Sequence, residues 1–147
     1  RVRACVEEGA RVVGLDSLNG YQSAMPEEQA LILHLHELIQ YMNRQGVASL
    51  VTVAQHGLVG DMLAPVDVTY LADTVLLFRY FEARGRVRRA MSVLKKRMGP
   101  HEDTIREFRI GAGGFRLGEP LTQFQGVLRG VPDFAGDPPE LLAEGSA

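Results

Sequence analysis

The sequence is poor in cysteine and has no long apolar run. Cys5 is the only cysteine among 147 residues, so an internal disulfide is excluded and a reducing, cytoplasmic setting is favoured. We expect the Cys5 thiol to be partly buried and unreactive. Apolar stretches stay shorter than the roughly 18–20 residues that span a bilayer, and no segment has the form of a signal peptide. We therefore expect no membrane association.

The motifs of common zinc and phosphate sites are also missing. His34 and His36 are two residues apart and do not share a helix face, and no HExxH pattern or cysteine pair accompanies them, so we expect no zinc site. No GxxxxGK[ST] phosphate-binding loop occurs in the sequence. The glycine-rich stretch Gly111–Gly114 lacks the lysine of such a loop and opens no helix, so it predicts a turn.

The composition is that of a packed globular protein, but the charge is uneven. Hydrophobic residues make up 46% and charged residues 23%, with a net charge of −2, which is ordinary for a single domain. Residues 79–116, however, hold eleven Arg or Lys against four acidic residues. This basic block indicates either a solvated face or an anionic partner such as nucleotide phosphates, an acidic neighbouring subunit or nucleic acid.

The predicted elements follow the order of the second half of an α/β domain. A helix end over residues 1–9 precedes a short apolar strand without alternation, which is typical of a strand buried on both faces. Asn19-Gly20 predicts a break, and a long helix begins near Ser23 and ends at Gly46. Predicted strands cover 11–15, 47–55, 74–81, 87–95, 105–110 and 114–117. The sheet is therefore expected to be mostly parallel, with antiparallel hairpins at one edge.

The two ends of the sequence predict its domain limits. The sequence starts at Arg1, in the middle of a helical pattern. We therefore interpret it as part of a longer polypeptide. Residues 1–132 are expected to form one portion of a domain. Residues 133–147 are acidic and contain proline, which predicts a flexible tail.

Asp16 closes the first apolar run of the sequence. An acid at the carboxyl end of a buried parallel strand lies where open α/β sheets bind ligands. Apolar positions followed by aspartate form the Walker B pattern, whose carboxylate helps to hold Mg²⁺ through its water shell. Many strands end in aspartate simply to cap the next helix. The pattern alone leaves both interpretations open.

A basic stretch near the end of a later strand supplies the second group of candidates. On a strand, Lys95 and Arg97 project from one face and Lys96 from the other. Two adjacent cations repel each other unless an anion lies between them, and arginine is suited to stabilise charge on a transferred phosphoryl group. A basic edge strand that resists aggregation explains the same pattern.

Two more polar residues lie next to predicted strands. Gln55 ends the strand that follows the one carrying Asp16. Its amide could sense the γ-phosphate of a nucleotide, or it could simply make a hydrogen bond at the end of the strand. Asp73 precedes Thr74 at the start of another strand, where an acid commonly caps a turn. Neither residue identifies a function by itself.

Five ordered stretches carry a resemblance to a known family. They are ARVVGLDSLNGY (Ala10–Tyr21), DVTYLADTVLLFRYF (Asp67–Phe81), RGRVRRAMSVLKKRMGPH (Arg84–His101), IREFRI (Ile105–Ile110) and LGEPLTQFQGVLRGV (Leu117–Val131). Together they resemble KaiC-like ATPases of the RecA/RadA superfamily, from just before Walker B onward. The resemblance implies a partial RecA-like P-loop NTPase core.

The resemblance also implies an ATP site shared between adjacent subunits of a ring, usually a hexamer. Asp16 would lie beside Mg²⁺, with Ser17 next to it. Lys95 and Arg97 would reach in trans to the γ-phosphate of the neighbour's ATP, and His101 would contact the nucleotide's sugar or base. The linked chemistry is slow ATP hydrolysis, with autophosphorylation in the clock members, and we expect a signalling protein as partner.

Two departures from the family pattern limit these implications. The family's phosphate-binding loop and water-activating glutamates precede Walker B and are absent from the sequence, so we expect residues 1–147 alone to be inactive. The Ser-Thr phosphorylation pair of the clock members falls at Thr69-Tyr70. Thr69 can accept phosphate, whereas Tyr70 breaks the pattern, so a signalling ATPase is expected rather than a clock component.

Two other classes of function remain open on the sequence. A DNA-handling RecA/RadA-like recombination ATPase would use the basic block on DNA phosphates. Against it, no aromatic-rich basic groove for single strands is evident, and we expect no nucleic-acid partner. A non-catalytic interaction module would keep ring assembly without hydrolysis.

Overall fold

A computed structural model describes residues 1–25, 27–54, 69–83, 85–129 and 132–134. The helices are α1 (Val2–Glu7), α2 (Leu18–Ala24) and α3 (Glu28–Arg44). The strands are β1 (Val12–Leu15), β2 (Ala48–Val51), β3 (Thr74–Ala83), β4 (Arg86–Lys96), β5 (Arg106–Gly111), β6 (Gly114–Pro120), β7 (Phe124–Gln125) and β8 (Asp133–Phe134), with a 3₁₀ turn at Val127–Arg129. Of the described residues, 1–54 and 69–71 form one compact unit and 72–134 a second.

The first unit is a parallel strand pair with helices packed on it. β1 and β2 run parallel, in register from Val12 opposite Ala48 to Leu15 opposite Val51. Leu31 and Leu35 of α3 are four residues apart, so they lie on one side of the helix, and both are almost fully buried with Leu18 of α2. Burying one such leucine contributes roughly 1.5–3 kcal/mol, so this cluster fixes α2 and α3.

Three local predictions for the first unit are wrong. Val12 and Leu50 are 60% and 64% exposed, so the strands are not buried on both faces, because α2 and α3 cover only one side of the pair. Asn19 and Gly20 lie inside α2 instead of breaking the chain, because burial of Leu18 outweighs their weak helix propensity. The Cys5 thiol belongs to an exposed residue.

The second unit is a four-stranded antiparallel sheet in the order β3-β4-β5-β6. One side of this sheet, here called the covered face, carries Phe81, Ala83 and Ala90. These residues are buried together with Leu121 and Val127, so the segment that follows β6 supplies the cover. The Phe81 ring also packs edge to face with Phe124, with 5.8 Å between ring centroids.

The opposite side of the sheet, here called the aromatic face, carries a row of three phenylalanines whose outer two members are solvent-exposed. Phe78 of β3 packs edge to face on Phe108 of β5, which stacks on Phe115 of β6, with centroid distances of 5.5 and 5.1 Å. Phe78 and Phe115 are each 50% exposed. The two faces of the sheet therefore differ in burial, since Phe81, Ala83 and Ala90 on the covered face are only 2%, 7% and 1% exposed.

The observed class agrees with the prediction. A parallel pair and an antiparallel four-stranded sheet make the chain α/β, consistent with a partial RecA-like core. Asp133 and Phe134 form β8 and pair with β7, while residues 135–147 lie outside the described part, so the predicted flexible tail stays a prediction. No described helix is long and apolar enough to cross a membrane.

Candidate functional site

Asp16 lies immediately after β1, at the carboxyl end of the parallel pair. The hydroxyl of Thr52, which follows β2, donates a hydrogen bond to Asp16 Oδ1 at 2.6 Å. Asp16 is exposed and, within the described residues, its Oδ2 accepts no hydrogen bond. The N-cap of α2 is Ser17, without a side-chain capping bond. Asp16 therefore presents its carboxylate beyond the strand ends and does not cap the helix.

The backbone around Asp16 is held by hydrogen bonds between the two strand ends. Leu18 N donates to Thr52 O at 2.9 Å and Thr52 N to Leu15 O at 3.0 Å. The side-chain amide of Asn19 makes two bonds to Ala54, donating to its carbonyl at 2.9 Å and accepting from its N–H at 2.8 Å. These bonds hold the segment after β2 against the start of α2, and Asp16 lies between them.

The oxygen atoms at this edge suit a hard divalent cation. A carboxylate and two hydroxyls, from Asp16, Thr52 and Ser17, lie on consecutive or hydrogen-bonded positions. Mg²⁺ prefers oxygen ligands and is usually held by only one or two carboxylates with several waters. One aspartate with neighbouring hydroxyls therefore fits a Mg²⁺ bound through water.

Lys95 occupies the far end of β4, and a bulge sets its direction. Val75 lies opposite Lys95 and Leu77 opposite Ser92, with the register shifting between Val75 and Leu76. Val75 and Leu77 are two residues apart on β3 and therefore lie on one face. Their partners on β4, Lys95 and Ser92, share that face, the covered face, although they are three residues apart. Such bulges re-aim side chains, and here the bulge turns Lys95 to the covered face.

Arg97 follows β4 and is paired with Asp73, which precedes β3. Arg97 N donates to Asp73 O at 2.7 Å, and Arg97 Nη1 lies 2.9 Å from Asp73 Oδ1. The two side chains are 55% and 64% exposed. An ion pair in water of this kind contributes at most about 1 kcal/mol, so the guanidinium can exchange Asp73 for another anion at low cost.

His101 lies in the exposed connection between β4 and β5. On one side, Lys96 Nζ donates to Pro100 O at 3.2 Å. On the other, the Thr104 hydroxyl and Arg106 Nη2 both bind the Glu102 carboxylate, the latter at 3.3 Å. The Thr104 hydrogen bond, followed by the positive charge of Arg106, lowers the pKa of Glu102 below its usual value. The residues around His101 are thus held by polar contacts.

The structure separates the predicted site residues into two groups. Asp16 and Ser17 lie in the first unit, whereas Lys95, Arg97 and His101 lie in the second. Thr69 is exposed in a turn of the first unit, and Gln55 lies outside the described residues.

The sequence interpretation missed the roles of Thr52, Asn19 and Asp73. Thr52 follows Val51, which is opposite Leu15, so pairing the two apolar runs in register would have placed it beside Asp16. Asp73 was expected to cap a turn, but its carboxylate pairs with Arg97 instead. No sequence signal points to the two hydrogen bonds between Asn19 and Ala54.

Residues 2–122 match the family described as "ATPase: KaiC". The chain belongs to the KaiC ATPase family. It is 31% identical to the circadian clock protein KaiC3 of Synechocystis sp. over 123 residues, which is 82% of this chain and 24% of that protein. It is 35% identical to the circadian clock oscillator protein KaiC of Thermosynechococcus vestitus over 65 residues, 44% of this chain and 12% of that protein.

A third relative is the circadian clock oscillator protein KaiC of Parasynechococcus marenigrum, 29% identical over 93 residues, or 63% of this chain and 18% of that protein. The chain thus spans a quarter or less of the length of these relatives. The similarity to these proteins identifies the family to which the matched residues of this chain belong.

Proposed function

We propose that the chain is part of an ATP-binding and ATP-hydrolysing regulatory protein, with each ATP bound between adjacent subunits. The single observation that carries this proposal is the exposed carboxylate of Asp16 at the carboxyl end of a parallel strand pair, in a chain of the KaiC ATPase family. Open α/β sheets bind ligands at this edge.

Asp16 is the residue proposed to hold Mg²⁺, through water, with Ser17 beside it. The Thr52 hydroxyl occupies Oδ1 and so leaves Oδ2 for a metal-bound water. Thr52 acts as a positioning residue, because its hydrogen bond fixes the rotamer of the carboxylate. When bound, Mg²⁺ would neutralise charge on the phosphate oxygens.

Lys95 and Arg97 are proposed to act on the ATP of the neighbouring subunit. In support of this proposal, Lys95 belongs to the last residues of β4 and the exposed Arg97 follows the strand directly. Arg97 would release Asp73 and bind the γ-phosphate, where a charge-assisted bond to phosphate is stronger than the exposed pair that it replaces.

The remaining site residues complete this assignment. His101, in the exposed connection after β4, is proposed to contact the sugar or base of the nucleotide, and Gln55 to sense the γ-phosphate. Thr69, exposed in its turn, is the residue that we propose as phosphate acceptor if the protein is an autokinase.

The complete protein is proposed to work as a homo-oligomeric ring, most simply a hexamer, in the cytoplasm with a signalling protein as partner. Closed rings arise when one surface of a subunit meets a different surface of the next, which is what a site with Asp16 on one side and Arg97 on the other requires. Since the sequence has no GxxxxGK[ST] loop, we propose that residues 1–147 do not hydrolyse ATP alone.

The test is an Arg97→Ala variant of the complete protein. We expect ATP hydrolysis to fall by about 10³-fold, as for other arginines that act in trans, while equilibrium binding of a fluorescent ATP analogue changes little. The matched control is Arg89→Ala, on the strand that Arg97 follows but over Tyr80 on the aromatic face, which should hydrolyse ATP at the normal rate. Normal turnover in Arg97→Ala would refute the assignment.

A further inference from the structure

A polar cluster surrounds Ala90 on the covered face of the β3–β6 sheet. Ala90, itself 1% exposed, lies opposite Arg79 of β3 and opposite Glu107 of β5. Arg88 and Ser92 flank Ala90 on β4, two residues away on either side. Side chains directly opposite have Cβ atoms about 4.5–5.5 Å apart. Four polar side chains therefore lie around Ala90 on the same face of the sheet.

Several polar atoms of this cluster are buried without hydrogen bonds. They are Nε and Nη1 of Arg79, Nε of Arg88 and Oγ of Ser92, none of which has a partner among the residues that the structure describes. Ser92 is only 5% exposed. Buried donors of this kind are normally paired, because their lost hydration is not otherwise replaced.

The charge of the cluster is positive despite Glu107. Arg88 Nη1 lies 3.0 Å from Glu107 Oε1, and Arg109 Nε lies 3.8 Å from the same oxygen. Glu107 is therefore compensated by two arginines, and its side chain is only 4% exposed. With Arg79 added, three cations face one acid in a partly desolvated place, where an additional negative charge is favoured.

We propose that this cluster binds a phosphate-type oxyanion, separate from the nucleotide. The donors approach from three sides of Ala90: Arg79 from β3, and Arg88 and Ser92 from the two directions along β4. A tetrahedral oxyanion offers an acceptor oxygen to each of the three, whereas a carboxylate offers only two oxygens in one plane. Arginine supplies such bonds as a rigid fork.

The experiment measures the melting temperature of the complete protein as inorganic phosphate replaces chloride at constant ionic strength. A saturating non-hydrolysable ATP analogue and Mg²⁺ are present throughout, so that every phosphate position of a nucleotide site is already occupied. A ligand at tenfold its Kd should raise the melting temperature by roughly 1–6 °C, with the smaller shift for a longer protein. We expect this rise in the wild type and in Arg89→Gln, whose substitution lies on the aromatic face.

Arg79→Gln should abolish the rise, and Ser92→Ala, a small change that keeps the fold, should reduce it. If Arg79→Gln fails to fold, Ser92→Ala decides the outcome alone. The proposal is overturned by no rise in the wild type or by an unchanged rise in Ser92→Ala. An equal rise with acetate in place of phosphate would also overturn it, because the site would then not select a tetrahedral ligand.

Discussion

Two arginine–carboxylate pairs in the second unit have similar geometry and opposite surroundings. Arg97 lies 2.9 Å from Asp73 with side chains 55% and 64% exposed, while Arg88 lies 3.0 Å from Glu107 with side chains 12% and 4% exposed. The distances are nearly equal, so the pairs differ in burial and in a second arginine, Arg109, which lies 3.8 Å from the same Glu107 oxygen. Burial decides which arginine can exchange its partner.

Breaking the exposed pair costs little free energy, whereas breaking the buried pair costs much more. Water and salt screen Arg97 and Asp73, which leaves little net energy in their contact. Loss of one member of a buried pair leaves the other charged in a place of low dielectric constant. Arg97, the proposed catalytic cation, therefore belongs to the exposed pair, whereas Arg88, in the buried pair, stabilises the fold.

The largest expected effect is from Glu107→Ala. Removing the carboxylate leaves Arg88 buried without its partner, so we expect the free energy of unfolding to fall by about 3–5 kcal/mol. Chemical denaturation followed by circular dichroism measures this change.

Asp73→Ala is the matched control for Glu107→Ala. It removes a carboxylate at a similar distance from an arginine, but in a solvent-exposed pair. The free energy of unfolding should therefore fall by about 1 kcal/mol or less. Equal losses in the two variants would contradict the distinction by burial.

A smaller effect is expected at a third pair, Arg106–Glu102, whose side chains are 24% and 49% exposed. The Thr104 hydroxyl, and then Arg106, lower the pKa of Glu102. A lowered pKa stabilises the fold above the pKa of the unfolded chain, and this contribution is lost as pH falls through the folded pKa. Thr104→Val should raise the pKa of Glu102 toward its ordinary value in an NMR titration, and an unchanged titration would contradict the role of the hydroxyl.

The sequence predicted the position of Asp16 better than its surroundings. An apolar run that ends in an acid identifies a strand end, and the structure has the strand and the exposed acid. The contact with Thr52 depends on which strand pairs with which and in what register, which one run of residues does not specify. The exposed Val12 and Leu50 were missed for a related reason, since an apolar run shows that burial is favourable but not what covers it.

For Lys95, the sequence predicted the residue but not the bulge. Alternation along β4 alone would put Lys95 on the face opposite Ser92, whereas the shifted register puts both on the covered face. No glycine or proline marks this bulge in the sequence. The cluster at Ala90 was missed for the same reason, because its members come from three strands and meet only through cross-strand register.

The central claim is that Asp16 and Arg97 belong to one ATP site supplied by two subunits. Mixing Asp16→Asn and Arg97→Ala subunits of the complete protein in equal amounts tests it directly by ATP hydrolysis. Each variant alone should be almost inactive, but random mixing gives about one interface in four with Asp16 from one subunit and Arg97 from the other, so about a quarter of the wild-type rate should return. A mixture no more active than either variant alone would contradict the claim.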